Sequence, residues 1–199
     1  MRLFTAITLE APVRSGVAEV IGSLRTHSAL HRAVKWVDPG NLHLTLQFLG
    51  DVRPDVAMDL VDAFGPTLKH PSFFLALGTP GTFPARGHPR VLWLGVSEGA
   101  SEVVRLRREV QTRLGPHGFE PDTRPYHPHL TIGRLGRGRS VSRTAIVDAL
   151  SDLEVPAERS VVDRVLLVES RLSGAGPSYR TLAEMALGDT PSEGPAHSA

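Results

Sequence analysis

The 199-residue chain has no cysteine, which excludes disulfides, thiolate zinc sites and a cysteine nucleophile. Lysine is almost missing, with Lys35 and Lys69 standing against 20 arginines. Neither sign of charge is in excess: 22 basic and 21 acidic residues leave a net charge of +1, so no global field points to nucleic acid. No apolar run approaches the roughly 20 residues that a membrane helix needs. The opening stretch Met1 to Leu9 alternates like a strand and does not read as a signal peptide, so a cytoplasmic protein is expected. The length suits one large domain or two small lobes sharing a core. Arginine's planar fork favours bidentate phosphate contacts. A GC-rich coding bias, which raises Arg, Gly, Pro and Ala together, explains the ratio as well, with 19 Gly and 16 Pro present. The positions of the arginines must therefore carry any argument.

Periodicity divides the chain. Leu3 to Leu9 reads as a buried strand, and Pro12 opens a helix with Val13, Val17, Val20, Ile21 and Leu24 on one face. Val34 to Val37 is extended and Asp38-Pro39-Gly40 is a turn. Asn41 to Gly50 is a strand of strict period two. Pro54 opens a helix facing inward with Val56, Leu60, Phe64 and Leu68. Phe73–Leu77 and Val91–Val96 read as strands around a loop from Gly78 to Pro89. Ser101 is placed to cap a helix carrying Val103, Leu106, Val110 and Leu114, which Gly115-Pro116 stops. His129 to Gly133 is a strand, Arg143 to Leu150 a short helix, and Val161–Glu169 and Tyr179–Ala186 further strands. Residues 1–187 are expected to form one bilobal domain, and 188–199 a disordered tail without apolar periodicity.

The layout repeats. Each half runs strand, helix, strand, helix, and the tetrapeptides His43-Leu-Thr-Leu46 and His129-Leu-Thr-Ile132 lie 86 residues apart at equivalent places. This points to an internal duplication in an α+β unit, with a period too long for a solenoid. Residues i and i+2 of a strand share a face, so His43 and Thr45 point one way and Leu44 and Leu46 the other; the same holds for His129 and Thr131. A pseudo-twofold that sets the two strands side by side lines one cleft with two imidazoles and two hydroxyls. That arrangement suits displacement at phosphorus: one neutral imidazole takes a proton from the attacking oxygen, and an imidazolium protonates the leaving oxygen. Threonine hydroxyls and an arginine stabilise the non-bridging oxygens.

Arg134 lies five residues after His129, an odd offset that strict alternation sends to the opposite face. Only a strand end or a bulge beside Gly133 brings it round. Arg124, Arg134, Arg137, Arg139 and Arg143 surround the second motif, as a solvated basic loop or as a phosphate-tracking rim. His43, His127 and His129 form an alternative three-histidine metal set, which leaves both threonines unexplained. Trp36, Phe48, Trp93 and Tyr126 are placed to stack a base, with core packing the commoner role for each. His27, His31, His70, His88, His117 and His197 read as surface or loop residues.

Two HxTx motifs in a duplicated α+β chain resemble the 2H phosphoesterase superfamily. Arg2-Leu-Phe-Thr-Ala-Ile, Trp36-Val37 before His-Leu-Thr-Leu-Gln-Phe-Leu-Gly50, Arg90-Val-Leu-Trp-Leu-Gly95, Tyr126-His-Pro-His-Leu-Thr-Ile-Gly-Arg134, Val168-Glu-Ser-Arg-Leu and Gly176-Pro-Ser-Tyr179 are similar to its RNA 2′,3′-cyclic phosphodiesterase (2′-5′ RNA ligase) branch. The resemblance implies two pseudo-symmetric lobes whose antiparallel sheets face a central cleft, with helices outside. It implies opening of a terminal 2′,3′-cyclic phosphate on RNA, tRNA halves among the substrates, to a 2′-phosphomonoester. No metal or cofactor takes part, and reversal with a 5′-hydroxyl gives a 2′-5′ linkage. It further implies His43 as proton donor, His129 as proton acceptor, Thr45 and Thr131 on the phosphate, and Arg134 assisting. A monomer with no membrane contact is expected. The other readings are a relative acting on a small cyclic nucleotide or 2′-5′ oligoadenylate, a non-catalytic module that binds RNA ends, and a metal-dependent hydrolase.

Overall fold

A computed structural model describes residues 1–136, 141–174 and 176–188; Arg137, Arg139 and the tail beyond Gly188 lie outside them. The chain opens with β1 (Arg2–Thr8) and α1 (Ala11–Thr26), which carries Pro12 in its first turn. The helix buries Val13, Val17, Val20, Ile21 and Leu24, the residues its spacing selects. After β2 (Val34–Trp36), the Asp38 carboxylate accepts from the Gly40 amide at 2.8 Å and turns the chain through a 3-10 segment, Pro39–Asn41. That turn delivers β3 (His43–Asp51). The helix α2 (Pro54–Phe64) ends before Gly65-Pro66, where the proline has no amide hydrogen to donate back along the helix. Leu68 is buried but lies beyond the helix.

The second half departs from the pattern expectations in three places. β4 (Phe73–Phe83) runs on through Gly78 to Phe83, the first half of the stretch that reads as loop, and Pro84 to Pro89 stay outside any strand. Its partner β7 (Arg159–Val162) pairs only with Phe73 to Ala76, so Pro80 sits on a free edge, at a register shift, where no ladder donor is needed. β5 (Val91–Glu98) leads into α3 (Ala100–Leu114), whose cap is Gly99 and not Ser101. Gly99 has φ of 82°, and a Cβ there would stand 2.5 Å from the Phe74 carbonyl oxygen, so glycine alone fits. Ser101 turns to the Glu102 carboxylate instead, at 2.8 Å. β6 (His129–Leu135) and α4 (Arg143–Ser151), capped by Ser142, follow. The predicted strand from Val161 then breaks at Asp163, with β7 in one sheet and β8 (Arg164–Ser173) in the other; β9 (Gly176–Ala186) completes the second.

The strands form two antiparallel sheets, β3-β1-β8-β9 and β2-β6-β5-β4-β7, with the helices outside. Leu44, Leu46, Leu130 and Ile132 face one core that also takes the inner faces of all four helices. The likeness of the two motif strands extends to the irregularities. Along β1 and β3 the register passes from Ala6↔Thr45 to Thr5↔Gln47, leaving Leu46 as an extra residue. Along β5 and β6 it passes from Trp93↔Thr131 to Leu92↔Gly133, leaving Ile132 extra. The two bulges lie 86 residues apart, like the histidines, and residues 43–49 and 129–135 share one sequence of buried and open positions.

Candidate active site

Each bulge places two consecutive residues inward and resets the alternation. Arg134 therefore returns to the face of His129 and Thr131, as the bulge alternative required, and Phe48 returns to the face of His43 and Thr45. The bulges are held differently. Beside Ile132, a Cβ on Gly133 would stand 2.6 Å from Val34 Cγ1, because β2 packs over it. β3 is an edge, so the equivalent Gln47 has room, and its amide donates to the Glu120 carbonyl at 3.3 Å.

The two imidazoles have matched surroundings. His43 Nδ1 lies 2.7 Å from the Asn41 carbonyl oxygen, and His129 Nδ1 lies 2.7 Å from the His127 carbonyl oxygen. A carbonyl only accepts, so Nδ1 carries hydrogen in both rings and Nε2 is left to exchange protons. His127 thus meets His129 through its backbone. The His43 ring is walled by Phe4 at 4.8 Å and Tyr179 at 5.2 Å, and the His129 ring by Phe83 at 4.9 Å and Trp93 at 6.1 Å, between centroids. Burial pulls both imidazoles below the ordinary pKa of 6.5, the carbonyl hydrogen bonds oppose this, and the charge of Arg134 lowers both further. His129 also lowers His43. One guanidinium thus acts on both motifs.

The two motif strands approach each other across the cleft, joined by a clamp that sequence reasoning missed. The Tyr126 hydroxyl, just ahead of the second motif, donates to the Thr45 carbonyl of the first at 2.8 Å. Burial raises that phenol above its ordinary range. Arg107 lies over the Tyr126 ring at 4.6 Å and donates to the Leu46 carbonyl at 3.0 Å and the Asp122 carbonyl at 3.1 Å. Its helix spacing marked Leu106 and Val110 as core but not this arginine, which is only 8% exposed. Phe4, Phe83 and Tyr179 were also missed as walls.

Other expected residues separate. Of the basic cluster, Arg124 pairs with Asp122 and Arg143 donates to the Ala85 and Gly87 carbonyls, so only Arg134 faces the histidines among the described residues. Trp36 packs against the core, as does Tyr126, and Trp93 touches His129. Phe48 is no core residue: 68% of it is exposed, 6.1 Å from Phe4. His70 is not a surface residue; it is buried, with Nδ1 2.9 Å from a Glu109 carboxylate oxygen. No helix among the described residues is long and apolar enough to cross a membrane.

Known proteins share this fold. The model of the 2′-5′ RNA ligase superfamily matches residues 12–173. The chain belongs to that superfamily. The RNA 2′,3′-cyclic phosphodiesterase of Aeropyrum pernix is 34% identical over 153 residues, covering 76% of this chain and 85% of that protein. The superfamily fold is shared with TT0787 of Thermus thermophilus, with a TM-score of 0.75 and 27% identity over 94% of this chain and 97% of that one. It is shared equally with E. coli LigT complexed with 3′-AMP, with a TM-score of 0.71 and 26% identity over 94% and 97% of the two chains.

Proposed function

We propose that this chain is an RNA 2′,3′-cyclic phosphodiesterase working by two-histidine acid–base catalysis without a metal or cofactor. The observation that carries the reading is the matched pair of imidazoles, each fixed through Nδ1 and each offering Nε2 on the face that also bears Thr45, Thr131 and Arg134. Relatives named for this activity supply the substrate class.

His129 accepts the proton of a water whose oxygen attacks phosphorus. The P–O3′ bond breaks, and His43 delivers its proton to the departing O3′, leaving a 2′-phosphomonoester. The near-symmetry of the site does not distinguish donor from acceptor; that assignment follows the family resemblance. Thr45, Thr131 and Arg134 take the non-bridging oxygens as charge builds there. With a 5′-hydroxyl in place of water, the same course forms a 2′-5′ phosphodiester, the P–O3′ bond breaking as before. The aromatic walls exclude water around both rings, which strengthens the charge interactions within the site.

The test is hydrolysis of an RNA oligomer ending in a 2′,3′-cyclic phosphate, in excess EDTA, with the product isomer identified. A 2′-phosphate, lost in His43→Ala and in His129→Ala by about 10²–10⁴-fold each, is expected. Full activity in either variant would remove that histidine from the mechanism, and dependence on added metal would remove the acid–base reading.

A further inference from the structure

Three cations at the edge of the cleft have no carboxylate partner among the described residues: Arg134, Lys35 and Arg2. By contrast Arg124, Arg164, Arg171 and Arg180 all pair with acids. Lys35 stands directly across from Arg134 in the β2–β6 register, so their side chains leave the sheet as neighbours about 5 Å apart. Lys35 Nζ lies over the β8–β9 hairpin, 3.7 Å from where a Cβ would stand on Gly176. The hairpin is tied to the first motif, since the Asn41 side-chain amide donates to the Pro177 carbonyl at 3.2 Å. Tyr179 on the same hairpin touches the His43 ring and lies within reach of the charges of both Arg134 and Arg2. Asp51 is opposite Arg2 in the register but makes no ion pair with it among the described residues. Arg134 and Arg2 thus reach Tyr179 from the two sheets, and Lys35 stands beside Arg134 over the tip of the same hairpin.

We infer that Arg2 and Lys35 form a subsite for the phosphodiester immediately 5′ of the terminal nucleotide. This rests on the proposed function, which puts the cyclic phosphate between His43 and His129 under Arg134. An RNA chain leaves its last nucleoside through the 5′ oxygen and meets its next negative charge one nucleotide away. A cyclic mononucleotide has no such charge. One cation beside the guanidinium that faces the reacting centre, and a second within reach of the same Tyr179, fit a single strand's next phosphate. The ligand chemistry is thus an oligoribonucleotide end, and the pair makes the protein prefer an RNA end to a free cyclic nucleotide.

The experiment compares kcat/KM for a dinucleotide ending in a 2′,3′-cyclic phosphate with that for a 2′,3′-cyclic mononucleotide, in the native protein and in Arg2→Ala/Lys35→Ala. Both side chains are exposed, so the variant should fold, which its melting curve checks. The dinucleotide-to-mononucleotide ratio should fall about 10-fold in the variant, through KM, since charge-assisted contacts to one phosphate contribute on that order. The log–log salt slope for the dinucleotide should flatten by about 0.7, as for one phosphate of a single strand. A native protein that opens both substrates, with a ratio that does not move in the variant, overturns the subsite alone. A native protein that opens neither overturns the proposed function, and the subsite with it.

Discussion

Phe48 holds in the first lobe the place that Arg134 holds in the second: each is the second residue after a bulge, five positions beyond its histidine, on the histidine face. The matched bulges give one motif strand a cation and the other a flat apolar ring at the equivalent place. The bulges make this possible, because strict alternation would turn both side chains toward the helices. A nucleotide has the same two parts, an anion and a base.

Phe48 is accordingly predicted to stack the terminal base. Base–aromatic stacking contributes about 1–3 kcal/mol, so Phe48→Ala should raise KM by roughly 5- to 140-fold. Its melting temperature should stay close to that of the native protein, because the ring is 68% exposed. Phe48→Trp should keep KM low. Steady-state kinetics with thermal melts check this, and an unchanged KM in Phe48→Ala would show that the base lies elsewhere.

Arg107 is predicted to act on the site through β3. Its removal leaves the Leu46 and Asp122 carbonyls without their donor and uncovers the Tyr126 ring. Hydrogen bonds to charged groups contribute about 1.5–3 kcal/mol each, so Arg107→Met should cost about 3 kcal/mol in denaturant unfolding. Tyr126→Phe loses only the bond to Thr45 and should cost about 1 kcal/mol. A loss under about 0.5 kcal/mol in Arg107→Met would show that the bulge holds itself.

Much of this site is legible from local sequence because its logic is local. His43 with Thr45, and His129 with Thr131, share a face by strand period alone, and repetition separates them from chance. Arg134 needs a bulge whose place depends on which strand lies alongside, so the sequence leaves two outcomes open. Phe4, Phe83 and Tyr179 wall the histidines through pairings between distant segments, and no periodicity reports those registers. Arg107 reads as the polar side of a helix, yet it is buried because two distant carbonyls accept from it. Ser101 reads as a cap ahead of Gly99 because a serine signals a cap by its side chain, whereas the glycine acts through a positive φ.

Gly133 tests the asymmetry of the bulges. A methyl group there meets Val34 Cγ1 at 2.6 Å and the Trp36 ring at 3.1 Å. Overpacking of this kind costs about 1–3 kcal/mol, so Gly133→Ala should lower the melting temperature and push β2 away from β6. The displacement carries Lys35 and Arg134 with it, so kcat/KM should fall as well. Gln47→Ala, at the equivalent position on the edge strand β3, should be milder in activity because no further strand lies beyond it. Equal loss of activity in the two variants would contradict the role given to β2.

The pH dependence follows from the direction of the histidine shifts. Both imidazoles lie below 6.5 in the free protein, chiefly through burial and further through Arg134. The proposed reaction needs one ring neutral and the other charged, so kcat/KM should be bell-shaped with its maximum below about pH 6.5. Above that maximum it should fall as His43 loses its proton. In the substrate complex the phosphate anion favours the imidazolium, so the basic limb of kcat should lie at higher pH than that of kcat/KM. Removing a positive charge raises both imidazole pKa values, and Arg134→Gln should therefore move both limbs of kcat/KM to higher pH while lowering its maximum. Profiles of the native and variant proteins from about pH 4.5 to 9 decide the matter. A basic limb that stays in place or moves down in Arg134→Gln would mean that the guanidinium does not set the protonation of the histidine pair.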